Sequence, residues 1–491
     1  MARSNLLDKK NKVADAPIKD LLATILEDVI ATASMPYDEW QALSDSPFVP
    51  LAIPVSPERQ FRVTRVGVDA AQRLTRQVWQ AQAGYSQAFK RAEFDKTSFR
   101  AIGETILNSR QYAQDGTITE VDDRFFQLLA GDYEPNLKHP ANDALVDVDR
   151  HIPCQLFHSN QKVAAFSVGP VEFRSRAAWI DRFVTDARVL PYVLKVERGE
   201  LDIDDLRRES SSRPDERELF IALGIVRWLR GFAWVATIRM VGHEINQSHN
   251  KASIIVGLAI DAIGLRFQVE DARRFTKAGR QHLFAEDRLA TTMDGAFVIG
   301  WGAQLAGLGS EPDALSKKMA AEQPFLDAAG QLFHSYVQGR QTGRAPHLIE
   351  RWTNALYWVG EARREASDFM AVVNYGCAAD GLSGAGGKAE DMIEFAQATL
   401  NPKADPTLKE AIADAVHRVY REGRNKLAHG ENSGLFEDLA EIRAIGDSLL
   451  TGLFDVVTFE IAKALTEGHA MFEFDDKIAY RALLVRLKAR R

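Results

Sequence analysis

The residues best suited to chemistry stand near the C-terminus, in the run Tyr420-Arg421-Glu422-Gly423-Arg424-Asn425-Lys426-Leu427-Ala428-His429-Gly430. Within it, Arg424, Asn425 and His429 follow the spacing R-N-x-x-x-H. A histidine can transfer a proton at neutral pH, and a fixed arginine beside it can stabilise charge that develops on a phosphate. Such a pair can break a phosphodiester without a metal ion. We therefore expect a phosphate-ester site here that uses no metal and no cofactor.

The helix that carries this run is predicted to extend over 407–429. Asp405-Pro406 is a typical helix start, and Gly430 is a typical stop. Asn425 and His429 are four residues apart and share one helical face. Arg424 and His429 are five apart, which is about 140° around an ideal helix. The two side chains converge only if the helix end relaxes or if a second chain completes the site, and spacing alone also fits a solvated helix face.

Three other patterns imitate known sites. Residues 381–388 resemble a phosphate-binding loop, but a glycine and a hydroxyl residue are missing and the run follows a helix, so we predict a flexible connector. His243 and His249 are six residues apart, whereas a zinc-protease helix needs four, so a polar loop is the better interpretation. For His151, Cys154 and His158, the neighbouring Pro153 and a strand pattern favour ordinary packing.

Composition narrows the class of protein. The chain has 491 residues, 46% hydrophobic and 26% charged, which is normal for a folded globular protein of two or three domains. Its net charge of −7 argues against a surface built for general nucleic-acid binding. Two distant cysteines exclude a disulfide framework. With no signal peptide and no apolar stretch long enough to span a bilayer, we expect a cytoplasmic protein with no membrane partner.

The patterning predicts an α+β multidomain chain. We divide it into a mostly helical N-terminal region (1–140), a mixed α/β middle domain that is a candidate sensor (141–310), and an all-α C-terminal bundle (311–491). In the middle domain, Gly169-Pro170 predicts a turn between two strands, Arg207–Arg217 a linker or exposed loop, and Trp234–Ile238 either a strand or a helix. Helices are predicted in the bundle over 315–338, 346–381, 388–400, 407–429, 435–466 and 472–489.

The motif, together with the helix that ends Ala379-Asp380-Gly381-Leu382, resembles the signature of HEPN domains, in particular the ApeA-like group of bacterial anti-phage systems. The resemblance covers residues 320–485. It implies an HEPN-like helical bundle that dimerises and brings two R-x(4–6)-H motifs together. Many members of the family are metal-independent endoribonucleases, and some are inactive binding modules.

Carried over residue by residue, the resemblance makes Arg424 the phosphate-stabilising group, His429 the acid and base, and Asn425 a positioning group. Asp380 stands where glutamate is more usual and would be a supporting acidic group, with Tyr420 beside it. Arg418, Arg421 and Lys426 form a basic ridge with Arg424 and become candidate RNA contacts. The C-terminal helix is also basic, and we predict a solvated face there with RNA contact as the alternative, through Lys477, Arg481, Arg486, Lys488, Arg490 and Arg491.

Together these features predict a toxic endoribonuclease of an antiviral, abortive-infection-like defence system. It would cleave RNA by attack of the 2′-hydroxyl, leaving a 2′,3′-cyclic phosphate. The expected partners are an RNA substrate, a second copy of the chain bound through the C-terminal bundle, and a phage-derived or nucleotide trigger.

Two alternatives remain open. In the first, the bundle is a non-catalytic HEPN-type dimerisation module or a scaffold that binds RNA or nucleotides. The second is a role in nucleotidyl modification, although the chain lacks a G-S-x(n)-D-x-D nucleotidyltransferase pattern.

Overall fold

A computed structural model describes residues 16–43, 51–56, 58–114, 123–280, 284–304, 306–311, 313–338, 346–429, 438–473 and 476–490. The fold is mixed α/β and mostly helical, with small sheets and a helical C-terminal region. The chain divides into two compact units, one formed by 1–148 and 240–250, the other by 149–239 and 251–491. The division into three domains with boundaries near 140 and 310 stays a prediction. None of the described helices is long and apolar enough to cross a membrane.

The first unit packs its helices on one another and on a two-stranded antiparallel sheet. Leu22, Ile25 and Val29 lie on the buried face of the first helix, as their spacing predicts. The elements are α1 (Ile18–Ala33), α2 (Tyr37–Ala42), β1 (Ala52–Ser56), β2 (Arg59–Arg62), α3 (Arg65–Ala81), α4 (Ala83–Ala88), α5 (Arg91–Gln114) and α6 (Asp123–Asp143).

Asp28 of α1 caps the start of α3. Its carboxylate accepts hydrogen bonds from the Thr64 amide at 2.6 Å, the Thr64 hydroxyl at 2.7 Å and the Gly67 amide at 3.1 Å. A Cβ on Gly67 would lie 2.4 Å from the same carboxylate. Residue 67 must therefore be glycine, because the Asp28 carboxylate lies too close to the helix for a side chain there. The same carboxylate bonds to amides that have no partner within the helix.

A five-stranded sheet lies in the middle of the chain, with strand order β4-β5-β6-β3-β7. β5 pairs antiparallel with β6, with Val171 opposite Ile238 and Ser175 opposite Trp234. The predicted turn at Gly169-Pro170 is confirmed. Trp234–Ile238, for which the sequence left a strand and a helix open, belongs to a strand. The strands are β3 (Leu145–Gln155), β4 (Phe166–Val168), β5 (Val171–Ser175), β6 (Trp234–Glu244) and β7 (Thr276–Lys277).

Two sequence-based assignments in this region are wrong. Most of the predicted loop Arg207–Arg217 is helical, because Asp202 caps the Asp204 amide at 2.7 Å and Leu206 is buried. The polar segment after His243 starts a helix, since the Glu244 carboxylate accepts from the amides of Asn246 and Gln247. The helices here are α7 (Arg176–Phe183), α8 (Leu190–Glu197), α9 (Ile203–Ser212), α10 (Arg217–Leu229), α11 (Ile245–Gly264) and α12 (Val269–Ala272).

An antiparallel hairpin, β8 (Phe284–Thr291) and β9 (Phe297–Gln304), precedes the C-terminal helices. The predicted helix 346–381 is two helices, because the Ser367 side chain caps the Met370 amide and starts a new one. The C-terminal elements are α13 (Ala314–Gln338), α14 (Pro346–Arg364), α15 (Asp368–Ser383), α16 (Ala389–Leu400), α17 (Pro406–Val416), a π-helix (His417–Asn425), α18 (Lys426–His429), α19 (Ala440–Thr466), a 3₁₀ turn (Ala470–Glu473) and α20 (Asp476–Lys488).

A buried ion cluster joins α11 to α14. Asp261 is only 4% exposed, and its carboxylate accepts from Arg364 and, at 3.0 Å, from Arg280. Gly360 makes room for it, because a Cβ there would lie 2.3 Å from the Asp261 carboxyl carbon. Burial raises the pKa of Asp261 to about 6, and the positive charge of Arg280 opposes that rise.

Replacing Asp261 with asparagine removes the charge between two buried guanidinium groups. We expect Asp261→Asn to lower the free energy of unfolding by about 3–5 kcal/mol, the range for breaking a buried ion pair. Urea denaturation followed by circular dichroism measures the loss. The control is Arg208→Gln, whose side chain is 78% exposed in its pair with Asp205 and should change stability by less than about 1 kcal/mol. Equal midpoints for the two variants would contradict this prediction.

Candidate functional site

The candidate catalytic run lies on a π-helix that follows α17. Asp405 caps α17 by accepting from the amides of Thr407 and Leu408, as the start signal predicts. The chain then changes its winding at His417, and amides bond to carbonyls five residues back until Asn425. The predicted helical span 407–429 is therefore confirmed, but residues 417–425 are wound as a π-helix and not as an α-helix. π-helices are rare and are frequent at functional sites.

Two glycines set the contact between the π-helix and α15. A Cβ on Gly376 of α15 would lie 2.4 Å from the Cβ of Arg424. A Cβ on Gly423 would lie 2.4 Å from Cγ1 of Val372, and 3.2 Å from the carbonyl oxygen of Arg418. Side chains at either glycine would push the helices apart. The backbone at Arg424 is thus held directly against α15.

From this contact, the Arg424 side chain extends over the ring of Tyr420. Its guanidinium carbon lies 5.4 Å from the centroid of Tyr420, and Nη1 donates to Oδ1 of Asn425 at 2.9 Å. The side chain is half-buried. No ion pair joins Arg424 to an acidic residue within the described part of the chain. A positively charged group that is oriented by neutral partners can bind an anion without first giving up a carboxylate.

Tyr420 and Asp380 lie behind the arginine. Tyr420 is 2% exposed, and burial raises the pKa of its phenol, with the nearby Asp380 charge adding to the rise and Arg424 opposing it. The phenol is therefore neutral at physiological pH. Asp380 accepts a hydrogen bond at 2.8 Å from the amide of Gly387, so its carboxylate holds the turn between α15 and α16.

The three candidate RNA contacts point to different neighbours. Nη1 of Arg418 pairs with Glu441 of α19 at 2.8 Å, while Arg421 pairs with Glu390 of α16. Both glutamates are more than 70% exposed, so solvent screens each pair and a phosphate can replace the carboxylate. Lys426 is exposed. Arg418 and Arg421 thus pair with acidic residues on two different helices.

His429 is the last residue of α18. Its side chain, and Gly430 after it, lie outside the residues that the structure describes. The structure thus brings Arg424, Asn425, Tyr420 and Asp380 together and gives only the backbone of His429. The segment from Asn425 to His429 leaves the π winding for an α turn.

The middle of the chain holds the other histidine candidates, of which His243 is buried, His151 and His158 are half-buried and His249 is exposed. Nδ1 of His151 accepts a hydrogen bond from the Trp179 indole at 3.1 Å and lies 3.0 Å from the Thr237 hydroxyl. Burial lowers the pKa of His151 and raises that of Cys154. These residues are packed as predicted. Within the described ranges, no three His, Cys, Asp or Glu side chains form a group that could hold a metal ion.

Sequence reasoning missed Gly376 and Gly423, although each is a glycine inside a predicted helix and such glycines often mark a close packing contact. It also missed the support behind α15. The Tyr375 hydroxyl donates to Asp447 at 2.8 Å, and Arg363 grips the same carboxylate through two nitrogens at 2.7 and 2.9 Å. Asp447 follows Tyr375 by 72 residues in the sequence, so no local pattern predicts these contacts.

Comparison of the chain with protein-family profiles, curated proteins and solved structures gives no match.

An added methyl group tests the helix contact. We expect Gly376→Ala to displace the π-helix and to destabilise the protein by about 1–3 kcal/mol, the usual cost of overpacking. The control is Gly381→Ala in the same helix, where the nearest atom to a Cβ is 3.8 Å away. That change should be neutral or stabilising by up to about 1 kcal/mol, because alanine favours helix. Thermal unfolding of both variants measures these changes in stability. A Gly376→Ala protein as stable as wild type would show that the helices are not in close contact at this glycine.

Proposed function

We propose that this protein is a metal-independent endoribonuclease of a bacterial defence system, with its active site at the end of the π-helix. One observation carries the proposal. The Arg424 guanidinium is half-buried, oriented by Tyr420 and Asn425, and free of any acidic partner among the described residues, five residues before His429. The resemblance of the motif to HEPN domains supports RNA as the substrate.

The proposed reaction needs no group beyond these side chains. His429 takes the proton from a ribose 2′-hydroxyl, and the 2′-oxygen forms a bond to the adjacent phosphorus. The bond from phosphorus to the 5′-oxygen breaks, and the protonated imidazole of His429 returns its proton to that oxygen. Arg424 stabilises the added negative charge on the phosphate oxygens. The products are a 2′,3′-cyclic phosphate and a free 5′-hydroxyl.

The neighbours have positioning roles in this scheme. Asn425 accepts from Nη1 of Arg424 and leaves the other guanidinium nitrogens for the phosphate. Tyr420 presents its ring to the same guanidinium, which restricts the conformations available to it. Asp380 is the supporting acidic group, because it fixes the turn that borders Tyr420. Arg418, Arg421 and Lys426 bind flanking parts of the RNA.

A second copy of the chain would complete the site. One helix end offers a phosphate only a single arginine and a single histidine. Two motifs facing each other would surround the substrate, as the resemblance to dimeric HEPN domains implies. The remaining regions would restrain this toxicity until a phage-derived or nucleotide trigger binds.

The dimer gives the first prediction of the proposal. Multi-angle light scattering at micromolar protein should give the mass of two chains, because the site is incomplete without the second motif. The dilution series should show dissociation only at much lower concentration. A mass of one chain that stays constant as the protein is concentrated would contradict the proposed two-copy site.

Removing the imidazole tests the proton-transfer role. We expect His429→Ala to lower RNA cleavage by at least about 10²-fold, the lower range for general acid–base catalysis. Stability should change by less than about 1 kcal/mol because the residue ends a short helix. His347→Ala is the matched control, since His347 is also on a bundle helix and its side chain is 43% exposed. Cleavage retained by a folded His429→Ala protein would exclude His429 as the acid and base.

The guanidinium is tested by a change that keeps its charge. Arg424→Lys should lose about 10²–10³ in rate, because lysine lacks the planar fork that contacts two phosphate oxygens. Arg208→Lys, at an exposed arginine of α9, should leave the rate unchanged. The wild-type rate should persist in EDTA and vanish on an RNA that carries deoxyribose 5′ of the scissile phosphate. Rapid cutting of the deoxy-substituted RNA would rule out internal attack.

A further inference from the structure

A cavity of about 600 Å³ lies between the turn that joins α15 to α16, the first turns of α16, and α20. Its lining carries three cationic side chains, Arg351, Lys388 and Arg481, and two acidic ones, Asp391 and Glu394. The glycines of the turn, Gly384 and Gly386, contribute backbone without side chains. The cavity is therefore polar, open to solvent, and bordered by more positive than negative groups.

Two of the cationic side chains of this lining, Lys388 and Arg481, have no ion-pair partner within it. Glu394 is paired at 2.6 Å with Lys488, which does not line the cavity. Lys388 and Arg481 are exposed, and no ion pair of either residue is found among the described residues. Asp391 is the one acidic group left to oppose them. The unpaired charge on two cationic side chains favours an anionic ligand.

The wall of the cavity is firmly built. The Tyr480 ring packs on Gly384, where a Cβ would lie 2.8 Å from the ring, and its hydroxyl donates to the carbonyl of Gly381 at 3.0 Å. Arg351 extends over the other part of this wall, with its guanidinium carbon 5.6 Å from the Tyr480 centroid. These contacts fix α20 to the end of α15. They place Arg481, which follows Tyr480 in the chain, at the cavity.

The same turn also borders the candidate active site. The Gly387 amide donates to Asp380, and a Cβ on Gly387 would lie 3.4 Å from the Tyr420 hydroxyl, on whose ring Arg424 is placed. Arg421 pairs with Glu390, in the first turn of α16. The turn from Gly384 to Gly387 therefore connects the wall of the cavity with the Tyr420 ring that Arg424 contacts.

We propose that this cavity binds a second backbone phosphate of the RNA, flanking the phosphate that is cleaved. Lys388 and Arg481 are the residues that bind it, and Arg351 adds positive charge from the wall. The inference rests on the proposed ribonuclease function and assigns that function a substrate-positioning subsite. It also gives the basic C-terminal helix a direct contact with RNA, through Arg481 and not through its whole charged face.

The test measures how binding depends on salt. The full chain is titrated into a labelled single-stranded oligonucleotide whose riboses are all 2′-fluoro, so that cleavage is blocked, and anisotropy is read over a range of NaCl concentrations. In the double variant Lys388→Gln, Arg481→Gln, the slope of log affinity against log salt should become shallower by about 0.7 for one lost phosphate contact. Arg481→Lys should keep the wild-type slope, because the charge remains.

The matched control removes the same net charge elsewhere, at the exposed residues Lys403 and Arg208, with Lys403→Gln, Arg208→Gln. Its slope should equal that of the wild type. Equal slopes for the two double variants would overturn the subsite. Inorganic phosphate serves as a competitor: binding of phosphate that Lys388→Gln, Arg481→Gln abolishes, with no change in the oligonucleotide slope, would show a site for free phosphate and would also overturn it.

The subsite and the nuclease function can be refuted separately. If the double variant differs from wild type in slope as predicted but the wild-type protein cuts no RNA, the subsite is supported and the nuclease function is refuted. A protein that cuts RNA equally well with and without Lys388 and Arg481, at equal slopes, would keep the nuclease and refute the subsite. Circular dichroism of each variant establishes that the exposed substitutions leave the fold intact.

Discussion

The contact between α15 and the π-helix is the constraint on which the candidate site depends. Gly376 leaves no side chain between the helices, and the Cβ of Arg424 occupies the space that a Cβ on Gly376 would need. Gly423 makes the reciprocal contact with Val372 one residue earlier. Because the two helices are in van der Waals contact here, the backbone position from which the Arg424 side chain extends is fixed. Its guanidinium then needs only Tyr420 and Asn425 to set its direction.

This contact is supported from behind by a polar network in the core. Tyr375, the residue before Gly376, donates to Asp447, which is also held by Arg363. Arg443 and Arg273 donate to carbonyls at the end of α14, where a helix leaves carbonyls without partners. Buried polar networks that are satisfied in this way fix one arrangement of helices. The position of α15, and so of Arg424, depends on residues that no motif contains.

The sequence predicted the elements that follow local rules. The apolar spacing of α1, the start of α17 at Asp405-Pro406 and the turn at Gly169-Pro170 are all encoded by neighbours in the chain, and the structure confirms them. The break of the predicted 346–381 helix at Ser367 was missed because apolar periodicity continues through it. α9 was missed because a polar helix that buries one leucine resembles a loop in composition.

The candidate site was predictable in part. The residue types and spacing selected Arg424, and the structure places Tyr420, Asn425 and Asp380 around it. The π-helix was not predicted, because the start and stop signals of the segment indicate a helix without distinguishing π from α winding. The basic cavity was likewise hidden: the turn Gly384–Lys388 looked like a failed phosphate loop, and Arg481 reaches it from the far end of the chain.

The chemistry of the RNA ends tests the central claim most directly. Wild-type protein is incubated with a defined RNA in EDTA, and the new ends are identified by mass spectrometry before and after acid treatment, which opens cyclic phosphates. Internal attack assisted by Arg424 and His429 predicts 5′-hydroxyl ends and 2′,3′-cyclic phosphates whose mass rises by one water on acid treatment. Fragments with 5′-phosphate and 3′-hydroxyl ends would show that water is the nucleophile and would contradict the account.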